Sequence, residues 1–296
     1  MSNKETNLSP VIAGTMKWGL WGKRFSTKEY ETFIHLFAEQ GISTFDHADI
    51  YGDYTTEEEF GAVLKKTPAL RNKIQLITKC GIQKISEQRP QHQIKSYNTS
   101  AKHIIGSVEQ SLKNFGTDYI DWLLLHRPDY LMNAEEVAAA FTELKEKGMV
   151  LHIGVSNFLP SQMALLHRYF PIGANQVRCS VFHRDAFEDG TLDYCQQEKI
   201  IPMAWSPLNG GKISEGDDHE AARRVYAVTS ILGETYKVSR DIILLKWLQM
   251  HPTKIKPVIG TTNKERIESL AQLNDFTLTG EEWYMIWRAG TGTEVA

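Results

Sequence analysis

An alternation of short β-rich runs with longer helical stretches constrains this chain more than any other feature. The runs are Val11–Thr15, Ser43–Asp46, Ile74–Lys79, Ile120–His126, His152–Ser156, Ala174–Val177, Ile201–Trp205 and Lys256–Ile259. Parallel strands cannot be joined by a tight hairpin; they need a crossover, and a helix is the usual one. Eight strands in strict alternation with helices fit an α/β fold of the closed (β/α)8 TIM-barrel type better than an open doubly wound sheet. No GxGxxG follows any of the runs, so the glycine fingerprint of an open dinucleotide-binding sheet is missing. With 296 residues, 42% of them apolar, the chain can bury a full core. No linker, low-complexity stretch or repeat divides it, so a single domain over residues 1–296 is expected.

The helices carry their own punctuation. Ser26 with Glu29 makes a capping-box pattern, Tyr30, Phe33, Ile34 and Phe37 mark one apolar face, and Gly41 supplies the stop. Ser100 precedes a helix with Ile105, Val108, Leu112 and Phe115 inward, closed by Gly116; Val137, Phe141 and Leu144 precede Gly148. Thr262 with Glu265 opens a helix carrying Ile267, Leu270 and Ala271, and Thr279 with Glu282 opens one around Trp283 and Trp287. The polar stretch Gln83–Asn98 is long for a compact unit, and reads equally as a pocket-shaping loop or a surface loop.

The formal net charge is −3 and the basic residues are scattered, which argues against a nucleic-acid groove or an anionic membrane surface. Cys80, Cys179 and Cys195 form no CxxC pair, so reduced thiols are expected rather than disulfides or a zinc site. The polar N-terminus lacks the apolar core of a secretory signal, and runs such as Ile120–Leu125, interrupted by Asp121, are too short to span a bilayer. A soluble cytoplasmic protein is expected.

Barrel chemistry sits at the C-terminal ends of the strands. There the chain places Asp46, with Tyr51 just beyond, Lys79, and His126. Each alone has an ordinary explanation: a turn cap, a packed ring, a paired surface lysine, a core histidine. Together they make a proton-transfer group. A free tyrosine titrates near about 10; an adjacent ammonium lowers that value, so Lys79 is expected to lower it for Tyr51. Asp46 would hold Lys79 charged, and His126 would hydrogen-bond a carbonyl oxygen. Such a site protonates a nascent alkoxide but has no nucleophile, so it needs a hydride from a nicotinamide.

At this quartet the sequence resembles the aldo-keto reductase superfamily, and within it the bacterial YdhF-type oxidoreductase branch. The motifs are Phe45-Asp46-His47-Ala48-Asp49-Ile50-Tyr51-Gly52, Leu125-His126-Arg127-Pro128 and Gly154-Val155-Ser156-Asn157-Phe158, and the likeness begins at Gly14-Thr15-Met16. The resemblance implies a catalytic tetrad of Asp46, Tyr51, Lys79 and His126. It implies that Ser156, Asn157 and Gln176 bind the nicotinamide carboxamide, that Met16 touches the cofactor, and that Trp205 stacks on its ring. It makes Ser206–Lys212, with Pro207, Leu208, Gly211 and Lys212, the pyrophosphate loop. Ile259, Gly260, Thr262 and Arg266 become the adenosine-phosphate site. Arg266 and a helix N-terminus favour NADPH, with NADH possible. Gly260 stands where many members have lysine, and Ser269 and Leu270 replace common adenine contacts. Trp18, Trp21, Tyr130 and Trp287 are candidates for an aromatic substrate wall, which suggests apolar or aromatic carbonyl compounds. A monomer is the family default.

Two other readings stay open at this point. One is a slow or non-catalytic nucleotide-binding redox sensor or accessory subunit on the same fold. The other is a metal-dependent barrel hydrolase using Asp46, His47, Asp49 and His126. The second lacks an HxH pair after the first strand and would put Lys79 beside a cation, so no metal is expected.

Overall fold

The computed structural model describes residues 8–211 and 219–296. Eight strands close into a barrel in the order β1-β10-β9-β8-β7-β6-β3-β2. They are β1 (Ile12–Gly14), β2 (Thr44–Asp46), β3 (Gln75–Cys80), β6 (Ile120–Leu125), β7 (Val150–Ser156), β8 (Ala174–Arg178), β9 (Ile201–Trp205) and β10 (Lys256–Ile259), matching the eight runs to within two residues at either end. The stretch after β3 is an ordered antiparallel hairpin of β4 (Ile82–Gln83) and β5 (Ser96–Tyr97), with Ile82 opposite Tyr97. By internal contacts the chain falls into two compact units, one ending at Gln176 and one beginning at Val177.

The first unit carries helices α1 (Thr27–Glu39), α2 (Thr56–Lys66), α3 (Ala101–Phe115), α4 (Ala134–Glu146) and α5 (Pro160–His167). The Ser26–Glu29 capping box is formed, and α1 buries Tyr30, Phe33, Ile34 and Phe37. Trp18 is fully buried among these rings, edge-on to Tyr30 at 5.5 Å and stacked with Phe37 at 6.1 Å. It belongs to the packing of α1 and cannot line a substrate wall. Helices α2 and α3 cross so closely at Gly61 that a Cβ there would meet the Asn114 carbonyl oxygen at 2.0 Å. Ser100 caps α3 and Gly116 ends it at φ 67°. Its buried face is Ile104, Val108, Ser111 and Phe115, rotated from the predicted Ile105 and Leu112. The polar Ser111 points inward because it donates to Glu57, 2.8 Å away. Asp121 interrupts an apolar strand because it accepts from Arg71 at 2.7 Å and from the Leu76 N–H at 2.9 Å.

The second unit carries α6 (Asp185–Glu188), α7 (Thr191–Glu198), α8 (Glu220–Tyr236), α9 (Arg240–Gln249), α10 (Lys264–Glu268) and α11 (Gly280–Thr291). Trp247 of α9 and Trp283 of α11 stack at 4.9 Å, and each indole N–H donates to the other residue's carbonyl, at 3.1 and 3.0 Å. Trp287 continues the stack at 5.5 Å from Trp283 and lies under the Arg184 guanidinium. It packs on α11 and stays partly exposed. Thr279 and Glu282 form the expected capping box. The cap of α10 is Asn263 and not Thr262: its side-chain oxygen accepts from the Arg266 N–H at 2.9 Å.

Candidate active site

Three strand ends of the first unit bring the quartet together: β2 carries Asp46 and leads to Tyr51, β3 carries Lys79, and β6 leads to His126. Lys79, on β3, is fully buried, which a lysine tolerates only with every proton matched to an acceptor. Its ammonium donates to Asp46 at 2.8 Å, to the His47 carbonyl at 2.7 Å and to the Tyr51 hydroxyl at 3.1 Å. The other Asp46 oxygen accepts from the Gln176 amide at 2.8 Å, a bond between β2 and the middle of β8. Burial works against the charge on Lys79, but Asp46 and Tyr51 outweigh it and hold the ammonium above its ordinary value. His126 stands edge-on to Tyr51, ring centres 6.0 Å apart, and burial followed by the nearby Lys79 and Arg127 charges keeps it neutral.

Tyr51 departs from expectation in one respect. Its pKa is raised, because burial of the phenol outweighs the pull of Lys79. The expected lowering is present as a contribution but does not win. The chemical result is a phenol that stays protonated at neutral pH, with a cation in place for the phenolate left behind after it donates.

The turn that carries Tyr51 is unusual. Gly52, Asp53 and Tyr54 follow one another at φ 58°, 57° and 72°, a left-handed run that only the first residue adopts without cost. The Tyr51 carbonyl accepts from the N–H groups of Tyr54, Thr55 and Thr56 at 3.1 to 3.3 Å, which knots the turn at its base. A Cβ on Gly52 would meet the Thr56 hydroxyl at 2.5 Å.

Around the phenol lies a small cluster of Ala48, Ile50 and Ile82, with Trp21, Tyr51, Tyr54 and Tyr97 packed on it. Trp21 keeps its predicted place, 6.1 Å from Tyr51. Tyr130 is 92% exposed and packs into no wall. Tyr54, Tyr97 and Arg127 were not singled out from the sequence; Arg127 donates to the His126 carbonyl at 2.7 Å and its charge reaches Tyr51. Only its place in the His126-Arg127 motif signalled it. Beside this cluster, the hairpin and α3 line an open pocket of about 730 Å³ whose lining includes Asp49, Tyr54, Glu57, Arg89 and His103.

The remaining sequence-predicted residues divide between the units. In the first, Ser156 donates to the Gln176 carbonyl at 2.8 Å and accepts from the Asn157 amide at 2.8 Å, with Asn157 at φ 60°. Met16, beyond β1, is exposed. Asp46 is committed to Lys79 and Gln176, and His47 donates its Nδ1 proton to Thr15, whose own hydroxyl proton goes to the Asp46 carbonyl. Among the described residues no group of three or more His, Cys, Asp or Glu side chains is placed to hold a metal.

In the second unit, Trp205 ends β9 beneath the Arg178 guanidinium, and Ser206, Asn209, Gly210 and Gly211 take left-handed conformations after it. Pro207 is buried and Leu208 half-buried; Lys212 lies outside the described residues. Ile259 is buried, while Gly260 is exposed and Thr262 half-buried. A Cβ at Gly260 would meet nothing within 4 Å, and one at Gly211 only Arg266 Nη1 at 3.8 Å. The exposed Arg266 pairs loosely with Asp241, 3.5 Å away.

The model of the Aldo/keto reductase family matches residues 10–289.

The chain belongs to the aldo-keto reductase family.

The oxidoreductase YdhF of Escherichia coli is 40% identical to this aldo-keto reductase over 280 residues, 94% of this chain and 93% of that one. A protein of Agrobacterium fabrum named 6-dehydroglucose reductase is 41% identical over 265 residues, 89% of this chain and 88% of its own length. The thermostable aldo-keto reductase Tm1743, solved with the inhibitor epalrestat, superposes with a TM-score of 0.79 at 23% identity, covering 97% of each chain, and shares the fold. The chain is thus an oxidoreductase of a family that generally uses NAD(P)H. No helix among the described residues is long and apolar enough to cross a membrane.

Proposed function

We propose that this aldo-keto reductase reduces the carbonyl of a small aldehyde or ketone with NADPH, Tyr51 serving as the proton donor. The observation that carries the reading is the buried Lys79 ammonium bonded at once to Asp46 and to the Tyr51 hydroxyl, at 2.8 and 3.1 Å. As the carbonyl oxygen gains charge, the phenol gives up its proton, the ammonium stabilises the phenolate, and neutral His126 orients the oxygen.

The chain has residues suited to the cofactor. The backbone at Gly211 and Gly260 is open to a close-lying phosphate, with the Arg266 guanidinium beside Gly211. Arg266, Ile259, Gly260 and Thr262 would hold the adenosine-phosphate end, and Ser206, Pro207, Leu208 and Gly211 the pyrophosphate. Met16, Trp205, Ser156, Asn157 and Gln176 would hold the nicotinamide end. When bound, the cofactor supplies the hydride. NADH would be the weaker partner, because Arg266 has a use only for the additional phosphate.

For the substrate, Arg127 near the phenol and the hydroxyl-bearing Tyr97 support a hydroxylated carbonyl compound over a purely apolar one. A relative named 6-dehydroglucose reductase supports the same choice. We take the protein to act as one domain, since the family match runs unbroken from residue 10 to 289, and as a monomer by family default. Its three buried free thiols suit the cytoplasm.

The test is Tyr51→Phe. Reduction of glyceraldehyde should fall by about 10²–10⁴ in kcat with NADPH affinity unchanged; a fully active variant would end the proton-donor assignment.

A further inference from the structure

The left-handed turn after Tyr51 is gripped from outside by a residue that the reaction does not account for. Lys84, just past the hairpin strand β4, pairs its ammonium with the Asp53 carboxylate. Its backbone N–H donates to the Tyr54 hydroxyl at 3.0 Å, and that hydroxyl donates to the Lys84 carbonyl at 3.4 Å. Asp53 and Tyr54 are the two non-glycine residues of this turn held at positive φ. One residue thus ties down both strained positions, Asp53 through charge and Tyr54 through its hydroxyl. The Arg89 guanidinium lies over the Tyr54 ring at 4.5 Å, and the Lys84 ammonium lies 5.5 Å from the ring of Trp21, itself a neighbour of Tyr51.

We propose that Lys84 is a positioning residue for the reduction: it clamps Asp53 and Tyr54 in the left-handed conformation and so fixes the direction in which Tyr51 presents its hydroxyl to Lys79 and the substrate. The inference rests on Tyr51 being the proton donor. Released from the clamp, Asp53 and Tyr54 relax toward negative φ, where L-residues are unstrained. The three N–H groups then lose their hold on the Tyr51 carbonyl, and the phenol leaves its line with Lys79. Proton transfer depends steeply on such alignment, so kcat suffers while binding does not.

Lys84→Met keeps the length and apolar stem of the side chain and removes its charge. With glyceraldehyde as the probe, kcat should fall about tenfold, while NADPH affinity, read from protein fluorescence, stays within about twofold. Lys84→Arg should recover at least half of the wild-type kcat, on the order expected of a retained charge. Tyr54→Phe cuts the second tie and should also lower kcat; combined with Lys84→Met it should cost less than the product of the two single losses, because both open one clamp. A purely structural lysine would lower the melting temperature and leave kcat of the folded protein intact. Lys84→Met with kcat within about twofold of wild type overturns the proposal, and if that variant does not fold, an unchanged kcat in Tyr54→Phe overturns it instead. An inactive Tyr51→Phe beside a fully active Lys84→Met refutes the clamp alone. An active Tyr51→Phe refutes the proton-donor reading and the clamp with it.

Discussion

Lys79 and Arg266 are both cations beside a carboxylate, yet their surroundings have almost nothing in common. The Lys79 side chain is 0% exposed and its partner Asp46 3%, at 2.8 Å; the Arg266 side chain is 57% exposed and Asp241 31%, at 3.5 Å. In the first pair neither member can leave without stranding the other in a medium that penalises a lone charge heavily. In the second, water solvates both, and the pair is worth at most about 1 kcal/mol. The difference matches the roles proposed for the two cations. A group that steadies a phenolate must stand in one position throughout the reaction. A group that meets an incoming phosphate must be free to exchange one anion for another.

The largest test of that contrast is Lys79→Met. It should reduce kcat by at least about 10²-fold and destabilise the protein by about 3–5 kcal/mol, since Asp46 is left buried with Gln176 as its remaining anchor. Adding Asp46→Asn should restore much of the stability and none of the activity, checked by thermal melting beside steady-state kinetics. A Lys79→Met protein that melts like the wild type would show that the pair is not the closed unit described.

Asp49 is the exception that sharpens the comparison. It lies two residues from Tyr51, and its Oδ1 is buried without a hydrogen-bond partner. Burial first, and the neighbouring Glu57 second, push its pKa well above the ordinary carboxylate value. A carboxyl whose pKa is higher folded than unfolded binds more protons in the native state over the window between the two values. Its contribution to stability is therefore full below the unfolded pKa, about 3.9, and is lost as pH rises through the native one. Asp49→Asn should remove that loss, raising the melting temperature by about 2–4 °C at neutral pH and making little difference near pH 3. An equal gain at both pH values would mean that charge burial is not the cause.

Much of this was readable in the sequence, for definite reasons. Strands buried on both faces of a barrel read as apolar runs, and the tetrad sits in motifs whose order leaves little freedom. What escaped was whatever depends on which side of an element a residue faces. Trp18 and Trp21 are three residues apart, yet one is sealed among the α1 rings and the other stands by Tyr51. The buried face of α3 departs from the apolar pattern because the inward Ser111 answers a carboxylate on another helix. Thr262 and Asn263 are adjacent and equally able to cap, and only the backbone decides between them. The direction of the Tyr51 pKa depended on the balance of burial against charge, which residue identity does not encode. The left-handed turn was signalled by Gly52 alone, because Tyr54 carries no mark of a positive φ.

The smallest expected effect probes the exposed pair. Arg266→Ala should raise the Kd for NADPH about tenfold and leave that for NADH unchanged, as loss of one charge-assisted contact to a phosphate implies. Asp241 pairs with the same guanidinium from the first turn of α9, where a carboxylate is favoured. A 2′-phosphate must displace or share that contact, so Asp241→Asn should tighten NADPH by about threefold or less, the scale of a solvated ion pair. Fluorescence titration with 2′,5′-ADP and with 5′-AMP reads the effect without turnover: only the first should respond to either substitution. If Asp241→Asn weakens 2′,5′-ADP instead, the carboxylate orients Arg266 for the phosphate rather than competing with it. The exposed pair would then be as fixed in purpose as the buried one.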